Sequence, residues 1–425
     1  MQLPKVQSDH SQLSDRELLL YANTLEPELA RMRHAAAGMY EDERASINLC
    51  LDAKAITQAS STAKRFKGCQ LLIIVGIGGS DLGTIAIQEA ILGRQHNLVS
   101  KPTVLYADTV DPHAMWTTNA ILTQHLRSKK RVVVNIISKS GKTTETIANA
   151  QVLLTTLEHY QKKRWKESVV ITADEGSPLW DMAAEQNILA LSIPKKVGGR
   201  YSVLSAVGLF PLAVMGVNIK KLMDGAAHMR AACLKEDPKE NPAMLRAAML
   251  MHAWHRGKNV ADQFFFSVDL EGVGKWYRQL MGESIGKEWN RDHTKRIHVG
   301  MTPTVSIGST DLHSMAQLYF GGPNDKFYTI ATVNEWKKDV RLPKNHPFAP
   351  LVPNIQGKQL STIMGAIQQA VLSTLRSIER PHCVITLPSL KEESIGALLQ
   401  MHMMEMMYLG ALLQVNPFDQ PNVET

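Results

Sequence analysis

Cysteine is scarce in this chain of 425 residues: there are four, at positions 50, 69, 233 and 383, far apart and with no C-x-x-C pair. That spacing argues against a disulfide scaffold and against a zinc site, and fits a reducing compartment. Low-complexity tracts are absent. The opening stretch MQLPKVQSDH lacks the apolar region of a signal peptide. The longest apolar run, residues 203–217, is too short to span a bilayer and contains Pro211. A soluble, cytoplasmic protein is expected. Long basic stripes are missing too. The formal charge is +7, but the basic runs (162–164 and 195–196) are short, and only Trp165 stands directly beside one. No nucleic-acid footprint follows from this; a solvated surface or an anionic small substrate is compatible with it.

What is present is globular: 44% hydrophobic and 20% charged residues. The length exceeds one ordinary core, so two domains are expected. Residues 11–60 carry leucine and alanine at mixed three- and four-residue spacing with few turn signals, which predicts helix. Short β-branched or apolar runs then recur at 71–75, 103–106, 132–137, 169–172 and 189–193. Helical stretches at 82–92, 145–157 and 178–187 separate most of them. Alternation of this kind implies a parallel sheet covered on both faces. A charged, proline-bearing stretch at 233–243 reads as a boundary or as a turn between two helices. A second set of strands is expected at 264–268, 305–307, 327–333 and 383–386. The last helix is expected to start at a capping box, Ser389 with Glu392, and to run through the methionine-rich residues 401–407. Those methionines read as core or interface packing.

Two strand–loop–helix turns have the makings of an anion site, because a helix N-terminus offers unpaired N–H groups and partial positive charge. One is V-G-I-G-G-S-D-L-G at 75–83. The other is S-K-S-G-K-T-T-E-T at 138–146, where five hydroxyl residues, two lysines and a glycine fill eight of nine positions. Neither is a nucleotide loop. A P-loop needs a glycine where Ile136 stands. A dinucleotide fingerprint needs a glycine where Asp81 stands, and that carboxylate would face a pyrophosphate. What remains is a cup for one terminal phosphate. Ser138, Ser140, Thr143 and Thr144 can donate, with Lys139 or Lys142 supplying charge. The bland alternative is that these hydroxyls only cap the helix that follows.

Three further stretches occur in order along the chain: V-G-G-R-Y-S-V-L-S-A-V-G-L at 197–209, W-Y-R-Q-L-M-G-E-S-I-G-K at 276–287, and G-S-T-D-L-H-S at 308–314. With the two turns above and N-P-F-D-Q at 416–420, they closely resemble the glucose-6-phosphate isomerase family in its shorter bacterial form, from about residue 70 onward. The resemblance implies an α/β fold of two doubly wound, parallel-sheet sugar-isomerase (SIS) domains. They are expected at 61–225, with the phosphate loop, and 235–425, with a C-terminal helix and tail; residues 1–60 form an N-terminal helical segment. It also implies a homodimer that needs no metal or organic cofactor and acts on a small sugar phosphate, away from nucleic acid and membrane.

Roles follow for matching residues only. Ser138, Lys139, Ser140 and Thr143 match the phosphate loop, and Gly79 and Ser80 the glycine-rich turn beside the sugar. Arg200 matches the arginine that stabilises the enediolate, Gln279 a substrate-binding glutamine, and Glu283 the catalytic base. His313 matches the ring-opening histidine, with Asp311 near it in sequence. Gln420 matches a substrate-binding glutamine near the C-terminus. Aldose–ketose isomerisation moves a proton between adjacent carbons, and one suitably placed carboxylate can do that. Three departures stand out: Lys142 replaces a small hydroxyl residue, Leu312 replaces a glutamine, and the family's lysine shortly after N-P-F-D-Q-P-x-V-E falls beyond Thr425. The expectation drawn from the last is a truncated chain, or an enzyme that opens cyclic substrate poorly. Two other functions stay open: a non-catalytic SIS regulatory protein, and an isomerase acting on both glucose and mannose 6-phosphate.

Overall fold

The computed structural model describes residues 2–423; Thr425, where the truncation question arises, lies outside them. The chain opens on a short strand, β1 (Lys5–Gln7), before the helices Asp15–Ala37 and Ala53–Lys64. The N-terminal segment is therefore not purely helical. Its first helix starts at a capping box that sequence reading did not identify: Ser14 Oγ accepts from the Glu17 N–H, and Glu17 accepts from the Ser14 N–H at 2.9 Å.

Five strands follow: β2 (Leu71–Val75), β3 (Thr103–Ala107), β4 (Val132–Ile137), β5 (Val169–Asp174) and β6 (Leu189–Ile193). They pair in parallel in the order β3-β2-β4-β5-β6. Every residue of β2 and β4 is buried, as expected of central strands covered by helices on both faces. The order reverses between β2 and β4. Chains leaving those two strands turn away to opposite sides, which opens a crevice at their carboxyl ends.

The second sheet joins β7 (Val260–Phe265), β10 (Thr302–Ile307), β11 (Lys326–Glu335) and β12 (His382–Ser389) in parallel, in the order β12-β11-β7-β10. The first strand begins four residues earlier than expected, because Val260 already pairs with Thr302 and Lys326. β1 pairs antiparallel along β12, so the N-terminus closes an edge of the distant sheet. A small antiparallel pair, β8 (Lys287–Trp289) with β9 (Arg296–Val299), stands apart. Residues 233–241 turn between the helices Ile219–Ala232 and Pro242–His255. Among the described residues, no helix is long and apolar enough to cross a membrane.

The last helix, Glu392–Leu412, is capped by Lys391 and has no side-chain cap. The expected capping box does not form, because Ser389 still pairs with Glu335 in the β12 ladder. The helix is buried on all sides from Ser394 to Gly410, methionines included, which makes it a core element. It touches the helix Ile219–Ala232 backbone to backbone. A Cβ on Gly396 would sit 1.9 Å from the Leu222 carbonyl oxygen, and one on Gly225 would sit 2.0 Å from that of Glu393.

One buried charge pair in this core is answered on several sides. Arg246 pairs with Glu405 at 3.2 Å, with both side chains at 0% exposure. Glu405 also accepts from Tyr277 Oη at 2.8 Å and lies 2.7 Å from His402 Nδ1. Burial works to raise the Glu405 carboxyl, but Arg246 and His402 hold it well below the usual carboxylate range. Removing one partner of such a pair strands the other charge without water. Arg246→Met is expected to lower stability by about 3–5 kcal/mol, read from urea unfolding with the protein's own fluorescence.

Candidate active site

The crevice between β2 and β4 is lined by the two turns singled out from sequence. The helix Thr144–Gln161 begins after β4, with Thr143 as its N-cap. Thr143 makes no side-chain cap bond; its hydroxyl lies 3.1 Å from Ser138 Oγ, which accepts from the Gly141 N–H at 3.1 Å. The capping alternative therefore does not account for this loop. Ser140 and Lys142 are exposed at its tip. The Lys139 ammonium donates to the Val197 carbonyl at 2.9 Å, tying this loop to the turn after β6.

That turn, Gly199–Tyr201, carries Arg200. It lies directly on the glycine-rich turn after β2. A Cβ on Gly79 would stand 2.3 Å from the Gly199 carbonyl carbon and 2.7 Å from the Arg200 nitrogen, so only glycine allows this approach. Next to Ser80, Asp81 is almost fully buried with Oδ1 unpartnered among the described residues. Burial, with a smaller contribution from Asp108, pushes its carboxyl up to about 8.

Arg200 is 3% exposed and donates five hydrogen bonds. Nε donates to Ser284 Oγ at 2.9 Å. Nη1 donates to Glu283 Oε2 at 3.3 Å and Gln420 Oε1 at 2.9 Å. Nη2 donates to the carbonyls of Pro417 and Asp419 at 2.7 and 3.0 Å. Glu283 sits in the last turn of the helix Glu271–Ile285, and its other oxygen accepts from Gln279 Nε2, one turn back, at 2.9 Å. Its side chain remains 36% exposed, so a ligand can reach a carboxylate already held at both oxygens. Gln279 Oε1 is buried with no partner among the described residues, an acceptor suited to a sugar hydroxyl.

Arg200, Glu283, Gln279 and Gln420 thus form one hydrogen-bonded cluster, with Gly79 packed under it. Ser138, Lys139, Ser140 and Thr143 share the loop across the crevice. Ser80 lies in the short Gly78–Ser80 turn beside Gly79, without a hydrogen bond to the cluster. His313 is elsewhere. β10 and β7 end side by side, Ile307 opposite Phe265, and the helix bearing Glu283 starts from that end. At 1.5 Å per residue, Glu283 is roughly 18 Å along the axis from Glu271, toward the far end of the sheet. Asp311 Oδ2 accepts from the Ile307 N–H at 2.7 Å and holds the His313 turn back at β10. Nearness in sequence does not bring Asp311 and His313 together: the other oxygen of Asp311 accepts from Ser314 Oγ at 2.9 Å, and His313 is exposed.

Sequence reasoning gave no role to Ser284, Tyr201, Lys287 or Asp419. All four lie inside the quoted motifs, which was the available signal. Their partners lie more than eighty residues away in sequence. Among the described residues, no group of three or more His, Cys, Asp or Glu side chains is placed to hold a metal ion.

Two doubly wound sheets, a hydroxyl-rich loop at a switch point and a glutamate clamped by arginine and glutamine define a protein of the sugar-isomerase-domain class. Residues 50–425 match the phosphoglucose isomerase family, and the chain belongs to it. It is 34% identical over 372 residues to a glucose-6-phosphate isomerase of Carboxydothermus hydrogenoformans, covering 86% of this chain and 78% of that protein. Identity to the glucose-6-phosphate isomerase of Rubrobacter xylanophilus is 33% over 429 residues, covering 98% and 95%. A crystal structure of a hypothetical protein from Thermus thermophilus superposes with a TM-score of 0.89 at 28% identity, covering 99% of this chain and 97% of that one.

The Gly79 contact gives a direct test. Gly79→Ala must push the Arg200 turn away, and a misplacement on that scale is expected to lower turnover of sugar phosphate by roughly 10²-fold. Steady-state kinetics beside circular dichroism will separate this from unfolding.

Proposed function

We propose that this protein interconverts glucose 6-phosphate and fructose 6-phosphate through a cis-enediolate, as a soluble, cytoplasmic homodimer. The observation that carries the reading is Glu283: a carboxylate held at both oxygens by Gln279 and Arg200, yet open to a ligand. In this reading Glu283 takes the proton from one carbon and returns it to the next. Arg200 offsets the charge that develops on the enediolate oxygens, from a position that needs no rearrangement. Gln279 and Gln420 orient sugar hydroxyls. Ser138, Ser140 and Thr143, with Lys139, hold the phosphate at the helix N-terminus, while Gly79 and Ser80 floor the sugar site. The regulatory alternative is disfavoured, since a phosphate-binding module has no need of the Glu283 clamp. In this reading the domains are 61–225 and 235–425, one around each parallel sheet, with β1 of the N-terminal segment added to the second sheet. The four buried, free cysteines fit a reducing cytoplasm.

His313 takes part in ring opening only if it reaches the glutamate cluster of another copy, since its own chain puts the two at opposite ends of the second sheet. A homodimer in which each His313 serves the partner's Glu283 meets that requirement.

The activity is tested by a coupled assay of fructose 6-phosphate conversion, with mannose 6-phosphate run beside it. Glu283→Gln keeps the shape of the clamp and loses the base. It is expected to cut turnover by about 10²–10⁴-fold or more, with inhibitor affinity nearly unchanged. Normal deuterium exchange at the sugar C2 in this variant would remove Glu283 from its role.

Composite sites make a second prediction. Glu283→Gln and His313→Ala homodimers should each be impaired. Dissociated, mixed and reassociated, they should regain about a quarter of native activity, because half the dimers are mixed and each holds one intact site. No recovery, in a mixture shown by native mass spectrometry to contain mixed dimers, would place both residues in one chain's site.

A further inference from the structure

Among the described residues, Lys287 is the one buried cation beside the cluster with no role in the reading above. It starts β8, four residues after Glu283, and its side chain is 5% exposed. Its ammonium donates to the Asp419 carbonyl at 2.5 Å and to Asp419 Oδ1 at 2.9 Å. The same Asp419 carbonyl accepts from Arg200 Nη2 at 3.0 Å. Two buried cations therefore share one carbonyl oxygen, an arrangement that like charges oppose. Burial lowers the ammonium's proton affinity, and the Asp419 carboxylate counters it.

The next residue, Gln420, places its side-chain oxygen on Arg200 Nη1, the nitrogen that also faces Glu283. A continuous chain of contacts runs from Lys287 through Asp419 and Gln420 to Arg200 and Glu283. The tail has other anchors that do not involve Lys287. Phe418 lies against the Tyr201 ring, with centroids 5.7 Å apart, and under the Arg44 guanidinium at 5.4 Å. Tyr201 Oη donates to the Pro417 carbonyl at 3.3 Å, and Asn422 Nδ2 donates to Glu288 at 2.9 Å. Losing Lys287 therefore leaves the tail docked but releases the Asp419–Gln420 peptide, the part that orients the guanidinium.

We propose that Lys287 is a positioning residue for the isomerisation: by gripping the main-chain carbonyl and one carboxylate oxygen of Asp419 it sets residues 417–420 as a strap that aims Arg200 at Glu283. The proposal rests on the isomerase reading above. Lys287 acts on the charge developed during proton transfer and not on phosphate capture, since the phosphate loop is held by separate contacts from Ser138, Lys139 and Thr143. Its loss should appear in kcat and leave KM and phosphate binding in place.

The test is a kinetic cycle on the full chain with fructose 6-phosphate. Lys287→Met is expected to lower kcat by about 10–100-fold, with KM and inhibition by inorganic phosphate within about threefold of native. Lys287→Arg, which keeps a cation in reach of Asp419, should restore part of the loss. In a Gln420→Ala background, Lys287→Met should cost less than about threefold more, because both act through the same link. A native kcat in Lys287→Met, a loss confined to KM, or full additivity with Gln420→Ala would each overturn the proposal. If Lys287→Met does not fold, Asp419→Asn is read the same way: a kcat loss that vanishes in the Gln420→Ala background supports the strap, and a native kcat overturns it. An unsubstituted protein that fails to turn over fructose 6-phosphate overturns the isomerase reading and this inference together. A native enzyme that is active beside an equally active Lys287→Met overturns this inference alone.

Discussion

A guanidinium removed from water must have its N–H groups answered, and Arg200 meets that demand fully. Five donors point in a fixed fork, and five acceptors receive them: a hydroxyl, a carboxylate, an amide and two main-chain carbonyls. No acceptor is local. Ser284 and Glu283 come from one end of a helix under the second sheet, and the other three from the C-terminal tail. The cost of leaving any donor empty in a buried place binds three distant parts of the chain to one geometry. The Gly79–Gly199 contact then fixes that geometry against the first sheet. A site between two α/β units is thereby set by one side chain and one missing Cβ.

The rest of the architecture serves that junction. The reversal of strand order between β2 and β4 opens the crevice in which the hydroxyl loop and the glycine-rich turn face each other. The Lys139–Val197 bond carries the position of the loop to the arginine turn. On the other side, Tyr277 donates to Glu405, so the helix that presents Glu283 is anchored in the charged core of the methionine-rich helix. Glu283 is placed by a helix buried along much of its length, while its own side chain stays 36% exposed. In the proposed reaction that combination suits a base that must hold its orientation through a proton transfer and still meet a substrate.

Burial of the methionine-rich helix also shows why its composition says little about function. The unbranched thioether side chains of the last helix are buried as core along with Glu405 of the Arg246–Glu405 pair. The close helix crossing at Gly225 and Gly396 leaves no room for larger residues there.

Strand runs such as 71–75 and 132–137 declared themselves in sequence, because a strand buried on both faces is nearly continuous in apolar residues, with Asn135 the one polar residue of the two. The hydroxyl-rich turn before the helix Thr144–Gln161 did so as well, since its hydroxyls and the helix start fall within one short segment. The motifs at 197–209, 276–287 and 416–420 pointed to Arg200, Glu283, Gln279 and Gln420 before any geometry was known. Local chemistry of this kind is written in consecutive residues. Ser389 and Glu392 carried a capping signal with equal clarity, but strand pairing to Glu335 overrode it. The same limit hid β1, three residues whose partners lie near 385, and the separation of His313 from Glu283, which depends on the length and direction of a helix. Lys287 and Asp419 were invisible as a pair for that reason: their bond joins residues 132 positions apart. Composition, periodicity and short motifs determined most of the elements and named the candidate site residues. Only the tertiary structure decided which groups share a site, because long-range pairing, burial and the direction of each helix are properties of the packed chain.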